Sequence, residues 1–93
     1  MRKLWTDDAW DDYLYWQNTD KKTVKKINTL LRDIERAYKA GESMLNGIGS
    51  PEFLKGDLSG LLSRTIDEKH RLIYNIENGI LQIFSCHGHY NDK

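Results

Sequence analysis

The stretch that decides the fold is RLIYNIENGILQIFSC, residues 71–86. It contains two runs rich in Ile, Leu, Tyr and Phe, residues 71–76 and 80–86, and this composition is typical of β-strands. The pair Asn78-Gly79 lies between them and is a strong signal for a two-residue hairpin, because both turn positions favour positive φ. The stretch therefore predicts two neighbouring antiparallel strands.

The segment upstream of this hairpin contains another strand and a long connection. Residues 61–66 have the composition of a strand and extend the hairpin to a three-stranded meander. Residues 41–60 contain the only proline and the glycine-rich run Gly47-Ile48-Gly49-Ser50-Pro51, so they are predicted to form one long loop. Loops of this length in compact domains are usually functional or mobile.

The N-terminal half is predicted to form a short strand and two helices. Residues 2–5 precede Thr6, a favourable N-cap for a helix over residues 7–18. Thr19-Asp20 ends that helix and caps a second one. One buried aromatic face of the first helix is expected at Trp10, Tyr13, Leu14 and Gln17. The apolar face of the second helix is expected at Val24, Ile27, Leu31, Ile34 and Tyr38.

This order of elements predicts an α+β fold in a single domain, residues 1–93, with a short N-terminal strand, two helices and an antiparallel three-stranded meander. The chain is 39% hydrophobic and 30% charged, a composition typical of globular proteins. A single cysteine gives no internal disulfide, and no apolar run suits a signal peptide or a membrane span. We therefore expect a soluble, cytoplasmic protein without membrane contact.

The formal net charge is zero, with 14 basic and 14 acidic residues, which speaks against binding nucleic acid through overall charge. The charge is unevenly distributed, because residues 21–39 carry seven Lys or Arg against two acidic residues. Four basic residues align along one side of the second helix and could face RNA, although solvated surface charge is the commoner explanation. They are Lys25, Arg32, Arg36 and Lys39.

The sequence Cys86-His87-Gly88-His89 combines thiol and imidazole groups, which are zinc ligands. In a continuing strand His87 and His89 share one face while Cys86 points to the other, and no second Cys-His cluster could complete a tetrahedral site. Packing of Cys86 as a small apolar residue is the better interpretation. We expect no metal and no cofactor, with a zinc-dependent hydrolase as a remaining alternative.

A second chemistry is cleavage of an RNA phosphodiester without a metal. It needs a base for the 2′-hydroxyl proton, an acid for the leaving 5′-oxygen and a cation for phosphate charge. Glu52 on the loop could be the base, Arg71 could hold phosphate oxygens, and a histidine such as His89 could be the acid. Each residue alone also has an ordinary surface role, so the hypothesis depends on all three meeting at one site.

Several segments together resemble the YoeB/Txe toxins of bacterial toxin-antitoxin systems, a branch of the RelE-like ribonuclease toxins. The similarity extends from the first strand to Tyr90. The segments that carry it are Asp11-Asp12-Tyr13-Leu14-Tyr15-Trp16-Gln17, Lys25-Lys26-Ile27-Asn28, Pro51-Glu52, Leu54-Lys55, Asp57-Leu58-Ser59-Gly60, Ser63-Arg64, His70-Arg71-Leu72-Ile73-Tyr74 and His89-Tyr90.

The resemblance implies a RelE-like microbial RNase fold and an endoribonuclease that cleaves translated mRNA in the A site of the 70S ribosome. It also implies neutralisation by a YefM/Phd-type antitoxin and formation of a homodimer. The expected products are a 2′,3′-cyclic phosphate or 3′-phosphate and a 5′-hydroxyl. The family's residues correspond here to Glu52 as general base, Arg71 as phosphate stabiliser, His89 as general acid and Tyr90 as a positioning residue, with Lys55 and Arg64 binding substrate.

The sequence also departs from that pattern. The loop before Glu52 is longer and less basic than in relatives, Thr65 stands where an arginine is common, and Asn91-Asp92-Lys93 follows the terminal His-Tyr pair. These departures favour weaker ribosome docking, or docking that depends more on Lys25, Arg32 and Arg36. The alternative is a module of the same fold that binds antitoxin or RNA and has lost turnover.

Overall fold

The computed structural model describes residues 1–88, so His89, Tyr90 and the last three residues lie outside the described part. A five-stranded mixed sheet has the order β1-β5-β4-β3-β2, and two helices pack against it. The strands are β1 (Arg2–Trp5), β2 (Glu52–Phe53), β3 (Leu62–Thr65), β4 (Arg71–Glu77) and β5 (Ile80–Ser85). The helices are α1 (Asp7–Thr19) and α2 (Lys21–Lys39). The predicted α+β class is confirmed.

The predicted hairpin is confirmed. β4 and β5 pair antiparallel with Glu77 opposite Ile80, and the turn residues Asn78 and Gly79 have φ values of 53° and 73°. The pairing shifts between Ile73 and Tyr74, which leaves Phe84 as an extra residue in β5. β3 pairs antiparallel with β4, which completes the predicted meander.

The sheet has two strands beyond this meander. The predicted N-terminal strand is β1, which pairs parallel with β5 along the whole of Arg2–Trp5. The prediction of one long loop over residues 41–60 is wrong near its end, because β2 pairs antiparallel with β3 and a 3-10 turn forms at Gly56–Leu58. Two residue pairs alone make the β2 pairing, too few for a recognisable strand pattern.

Both helices begin at the predicted caps. Thr6 Oγ1 accepts a hydrogen bond from Ala9 N at 3.0 Å, and Asp20 Oδ1 accepts one from Lys22 N at 3.0 Å. These side chains satisfy amide groups that the first turn of a helix leaves without a backbone partner. Residue 20 therefore divides the two helices.

The predicted inward face of α1 is wrong at Trp10 and Gln17, which are exposed, whereas Tyr13 packs against the core and Leu14 is half-buried. Trp10 is 44% exposed, whereas Ala9 is fully buried and Trp16 is 6% exposed. The small Ala9 side chain lets the helix approach the sheet closely, and Trp16, seven residues on, packs on the same face. Trp10 instead stacks at the surface on Tyr13, with ring centroids 5.8 Å apart.

The apolar face of α2 is largely as predicted, because Ile27, Leu31 and Ile34 are buried. Tyr38 is 46% exposed, so its predicted burial is wrong, and Ala37 takes the inward position of that turn. The core between the helices and the sheet also includes Leu62, Leu72, Tyr74, Leu81 and Ile83.

A buried ion pair ties the loop before β2 to α2 and β3. Arg64 Nη1 donates to Asp33 Oδ2 at 2.6 Å and to the carbonyl of Ile48 at 3.1 Å, and Nη2 donates to the carbonyl of Asn46 at 3.0 Å. Asp33 Oδ2 also accepts from Ile48 N at 3.1 Å. Because Gly47 passes between these groups, it lies directly against both charged side chains.

Gly47→Ala should destabilise the protein strongly for this reason. Gly47 has φ +121°, and an added Cβ would overlap Asp33 Oδ2 and lie 2.8 Å from Arg64 Nη1. We expect a loss of about 2–3 kcal/mol in the free energy of unfolding, from backbone strain plus displacement of the ion pair. Gly41→Ala is the matched control, since Gly41 has φ +70° with no atom near its Cβ, and should lose about 1 kcal/mol. Equal losses in urea denaturation would contradict a specific clash at Gly47.

Candidate functional site

Glu52 and Arg71 lie side by side on the face of the sheet that points away from the helices. Glu52 pairs with Ser63 across β2 and β3, and Ser63 pairs with Ile73 across β3 and β4. Arg71 lies two residues before Ile73, so the alternation of side chains puts all four residues on one face. The structure therefore brings the two residues together from positions 19 apart in sequence.

The contact between them is an ion pair. Arg71 Nη1 lies 3.6 Å from Glu52 Oε1, and the side chains are 22% and 47% exposed. Both residues make further interactions beyond this pair. The Glu52 carboxylate, which can accept a proton, and the Arg71 guanidinium, which can bind phosphate oxygens, are thus close enough to contact one phosphodiester. Both remain accessible to solvent.

Lys55 accompanies this pair, because Glu52, Phe53, Leu54 and Lys55 line one surface depression. Lys55 and Phe53 are exposed, with Phe53 53% exposed, whereas Leu54 is buried. β2 and the turn that follows it therefore present a carboxylate, an aromatic ring and an ammonium group on one short segment.

The prediction that Arg64 binds substrate does not fit its position. Arg64 is 1% exposed, and its register opposite Leu72 places it on the helix-facing side of β3. Besides the contacts to Asp33 and the loop, its Nε donates to Tyr74 Oη at 3.1 Å. Arg64 holds the loop that leads to Glu52 and is not presented to solvent.

The basic residues of α2 do not converge on the Glu52–Arg71 pair. Lys25, Arg32 and Arg36 are exposed on the outer face of the helix layer, whereas the pair lies on the opposite face of the sheet. Arg36 also pairs with Asp33 Oδ1 and Glu42 Oε2, each at 3.0 Å. The predicted basic surface exists, but it is separate from the site.

The three residues after β5 are held by side chains from α1 and from the start of β4. Cys86 N donates to Asp12 Oδ2 at 3.0 Å, and Trp16 Nε1 donates to the Cys86 carbonyl at 2.8 Å. Burial raises the pKa of the Asp12 carboxyl, against the opposing effect of this backbone hydrogen bond. Gly88 N donates to His70 Nδ1 at 2.8 Å, and Arg71 N donates to the Gly88 carbonyl at 2.9 Å.

Four rings pack around this segment. His70 and His87 have centroids 4.8 Å apart, and Trp16 lies 4.8 Å from His70 and 5.2 Å from His87. Tyr15, 49% exposed, meets the edge of His87 at 4.9 Å. The sequence patterns predicted no role here for Asp12, Trp16 or His70, and their only signal was the resemblance, which includes all three.

Cys86 is a core residue, which agrees with the prediction that it packs as a small apolar residue. It is fully buried, and its Sγ lies 3.8 Å from the Ala9 carbonyl. Burial, with a smaller contribution from the Asp12 charge, raises the pKa of the Cys86 thiol to about 12. Within residues 1–88, no group of three or more His, Cys, Asp or Glu side chains is arranged to hold a metal ion.

We accordingly expect Cys86 to resist alkylation in the folded protein. At pH 8 almost none of this thiol is ionised, and the thiolate is the reactive form. Iodoacetamide followed by mass spectrometry should show no adduct under native conditions and rapid modification in 6 M guanidinium, on the order of the rate of an unstructured thiol. Modification of the native protein at the denatured rate would show that the thiol is accessible.

His89 and Tyr90, predicted as general acid and positioning residue, lie outside the described residues. The last described residue of the chain, Gly88, is hydrogen bonded to the backbone of Arg71.

No helix within residues 1–88 combines the length and apolarity needed to cross a membrane.

Comparison with known proteins identifies the family. Residues 5–90 match the model of the "YoeB-like toxin of bacterial type II toxin-antitoxin system". The toxin YoeB of Escherichia coli strain K12 is 48% identical over 90 residues, which cover 97% of this chain and all of the E. coli protein. The family resemblance found in the sequence is thus confirmed.

Solved structures agree in fold and extent. The YoeB/ParE toxin from Agrobacterium tumefaciens is 40% identical with a TM-score of 0.87, covering 97% of this chain and 100% of that one. YoeB from Staphylococcus aureus is 43% identical with a TM-score of 0.84, covering 97% and 98% of the two chains. That protein is known both as a heterotetrameric complex with YefM and as a dimer.

Proposed function

The chain belongs to the YoeB-like toxins of bacterial type II toxin-antitoxin systems, and from this premise we propose that it is an endoribonuclease that cleaves mRNA on the translating ribosome. The substrate would be mRNA in the A site of the 70S ribosome, and the outcome would be inhibition of translation in the cytoplasm. The single observation that carries the proposal is the solvent-accessible, half-buried Glu52–Arg71 pair, with a nitrogen-oxygen distance of 3.6 Å.

In the proposed mechanism, Glu52 takes the proton from the ribose 2′-hydroxyl, which then attacks the adjacent phosphorus. Arg71 donates to the non-bridging phosphate oxygens and stabilises the charge that develops on them. The distance between the two side chains in the structure supports these roles, because the reacting hydroxyl and the phosphate belong to neighbouring atoms of one nucleotide. The 5′-oxygen leaves, and the product carries a 2′,3′-cyclic phosphate, which water can open to a 3′-phosphate.

We assign the general acid to His89, which would protonate the leaving 5′-oxygen, and we assign Tyr90 to positioning of the phosphate. Gly88, the residue before His89, supports this assignment, because it is hydrogen bonded to Arg71, which carries the phosphate-binding group. Proton transfer and charge stabilisation by these side chains need no metal ion in this scheme. Lys55, beside Glu52, would bind a neighbouring phosphate.

The proposed partners are a YefM-type antitoxin and a second copy of the chain. The S. aureus relative is known with YefM and as a dimer, and it matches this chain over nearly its whole length. We propose that the exposed basic side of α2, with Lys25 and Arg32, contacts ribosomal RNA, because it lies apart from the Glu52–Arg71 face.

Primer extension on an mRNA being translated in a purified system tests the proposal. We expect cuts within the A-site codon that need the ribosome and that disappear when equimolar cognate antitoxin is added. A 2′-deoxy substitution at the nucleotide before the cut should abolish cleavage there, because it removes the attacking hydroxyl. A zinc-selective chelator that spares the ribosome's Mg²⁺ should have no effect.

Three results would count against the proposal. Unchanged cleavage of the deoxy-substituted mRNA would exclude attack by the 2′-hydroxyl, and inhibition by the chelator would favour the zinc hydrolase. Antitoxin binding without any cleavage would favour the alternative, a binding module of the same fold that lacks turnover.

A further inference from the structure

Two hydrogen bonds join Gly88 to His70, which directly precedes β4, and to Arg71, the first residue of β4. Gly88 N donates to His70 Nδ1 at 2.8 Å, and the Gly88 carbonyl accepts from Arg71 N at 2.9 Å. The same dipeptide that carries the Arg71 guanidinium therefore holds both polar groups of the Gly88 backbone. Gly88 directly precedes His89 in the sequence.

The His70 ring is itself held in place. It packs edge-on against the Trp16 ring, with an interplanar angle of 79°. It lies tilted against the His87 ring, with an interplanar angle of 39°. Its backbone is fixed by the turn before β4, where His70 N donates to Asp67 Oδ1 at 2.9 Å and the His70 carbonyl accepts from Ile66 N at 3.0 Å. The imidazole is therefore a preorganised acceptor with little freedom to turn.

The direction of the bond defines the form of the ring. A backbone N–H can only donate, so His70 Nδ1 must be unprotonated and the ring proton of the neutral form is on Nε2. Gly88 has φ +85°, a conformation that side chains other than glycine rarely adopt. The hydrogen bond from its amide thus fixes a backbone unit that is otherwise conformationally permissive.

We propose that His70 is a positioning residue, whose Nδ1 fixes the backbone of Gly88, the residue directly before the proposed general acid, relative to Arg71. The inference depends on the proposed nuclease function for its consequence, although the hydrogen bond itself does not. Misplacement of a reacting group by about 1 Å can lower a rate by about 10²-fold, so loss of this bond acts on turnover. In the proposed mechanism His70 acts through the Gly88 backbone and takes no part in proton transfer or phosphate binding.

Two amide variants of His70 provide a matched test. In His70→Asn the side-chain oxygen can occupy the place of Nδ1 and accept from Gly88 N, whereas in His70→Gln the extra methylene carries the oxygen toward the place of Nε2. In the full-length protein, we expect His70→Gln to lower kcat for ribosome-dependent cleavage by about 10²-fold with an unchanged KM. His70→Asn should stay within about 10-fold of the original kcat.

A measurement that does not depend on mRNA cleavage separates this proposal from the proposed nuclease function. In the original protein, NMR should show an unprotonated Nδ1 for His70 and a Gly88 amide protected from hydrogen exchange. The protection should persist in His70→Asn and be lost in His70→Gln, with both variants folded by near-ultraviolet circular dichroism. A protonated Nδ1, an unprotected Gly88 amide, or equal kcat in the two variants would overturn the proposal. If the original protein cleaves no mRNA but the exchange pattern holds, the proposed nuclease function fails and the hydrogen bond stands.

Discussion

Arg71→Ala should lower the rate of A-site cleavage by about 10²- to 10³-fold, the usual effect of removing one donor that stabilises transition-state charge. The expectation follows from the position of its guanidinium, 3.6 Å from the carboxylate proposed as the base. Single-turnover primer extension should show the loss in the rate constant of cleavage of the bound mRNA, because the phosphate charge that Arg71 stabilises develops in the transition state. Arg71→Lys should recover part of the rate, since an ammonium group keeps the charge but loses the fork.

The neighbouring Lys69 supplies the control for charge alone. It is exposed, lies two residues away and has no role in the proposed chemistry, so Lys69→Ala should cleave at close to the original rate. Glu52→Gln should resemble Arg71→Ala, and the double variant should lose less than the product of the two effects, because the residues act on one nucleotide. Rates for Arg71→Ala equal to those for Lys69→Ala would remove Arg71 from the mechanism.

The order of elements could be predicted from the sequence wherever a local signal was strong. Asn78-Gly79 marked the hairpin, and Thr6 and Asp20 marked the helix starts, because turns and caps depend on residues close together in the chain. The inward face of α1 was predicted wrongly at Trp10, though not at Tyr13, because the many aromatic residues of the helix support two different stripes. Contact with the sheet selects the stripe that contains the small residue Ala9.

The site was harder to predict from the residues alone. Glu52 and Arg71 were identified by their chemistry and by the resemblance, but their contact depends on a two-residue strand, β2, that leaves almost no pattern in the sequence. Arg64 was assigned to substrate because its charge alone does not distinguish a surface cation from a buried one. Its partner Asp33 is 31 residues away, and no periodic signal connects them.

Asp33→Ala should cause a loss of stability at least as large as that of Gly47→Ala. The Arg64 side chain is 2% exposed, so removing the carboxylate leaves a buried guanidinium without a counter-charge. Loss of one partner from a buried ion pair costs about 3–5 kcal/mol, and we expect about 3 kcal/mol because Asp33 retains 15% exposure. The change also removes the acceptor for Ile48 N and so loosens the loop that leads to Glu52. Urea denaturation monitored by tryptophan fluorescence measures the loss.

Glu42→Ala is the control. Glu42, like Asp33, pairs with the exposed Arg36, but it does not contact Arg64, so its loss should lower the free energy of unfolding by less than about 1 kcal/mol.

The dependence of stability on pH gives a second measurement. Burial raises the pKa of Asp33, but hydrogen bonds from Arg64, Arg36 and Ile48 N outweigh it and hold the pKa at about 2, below the ordinary value of 3.8. A depressed pKa stabilises the folded state fully above about pH 4, and this stabilisation is lost as pH falls from about 4 to 2. Asp33→Asn should therefore lose less stability than the original protein over that interval, and parallel pH curves would contradict the role of the ion pair.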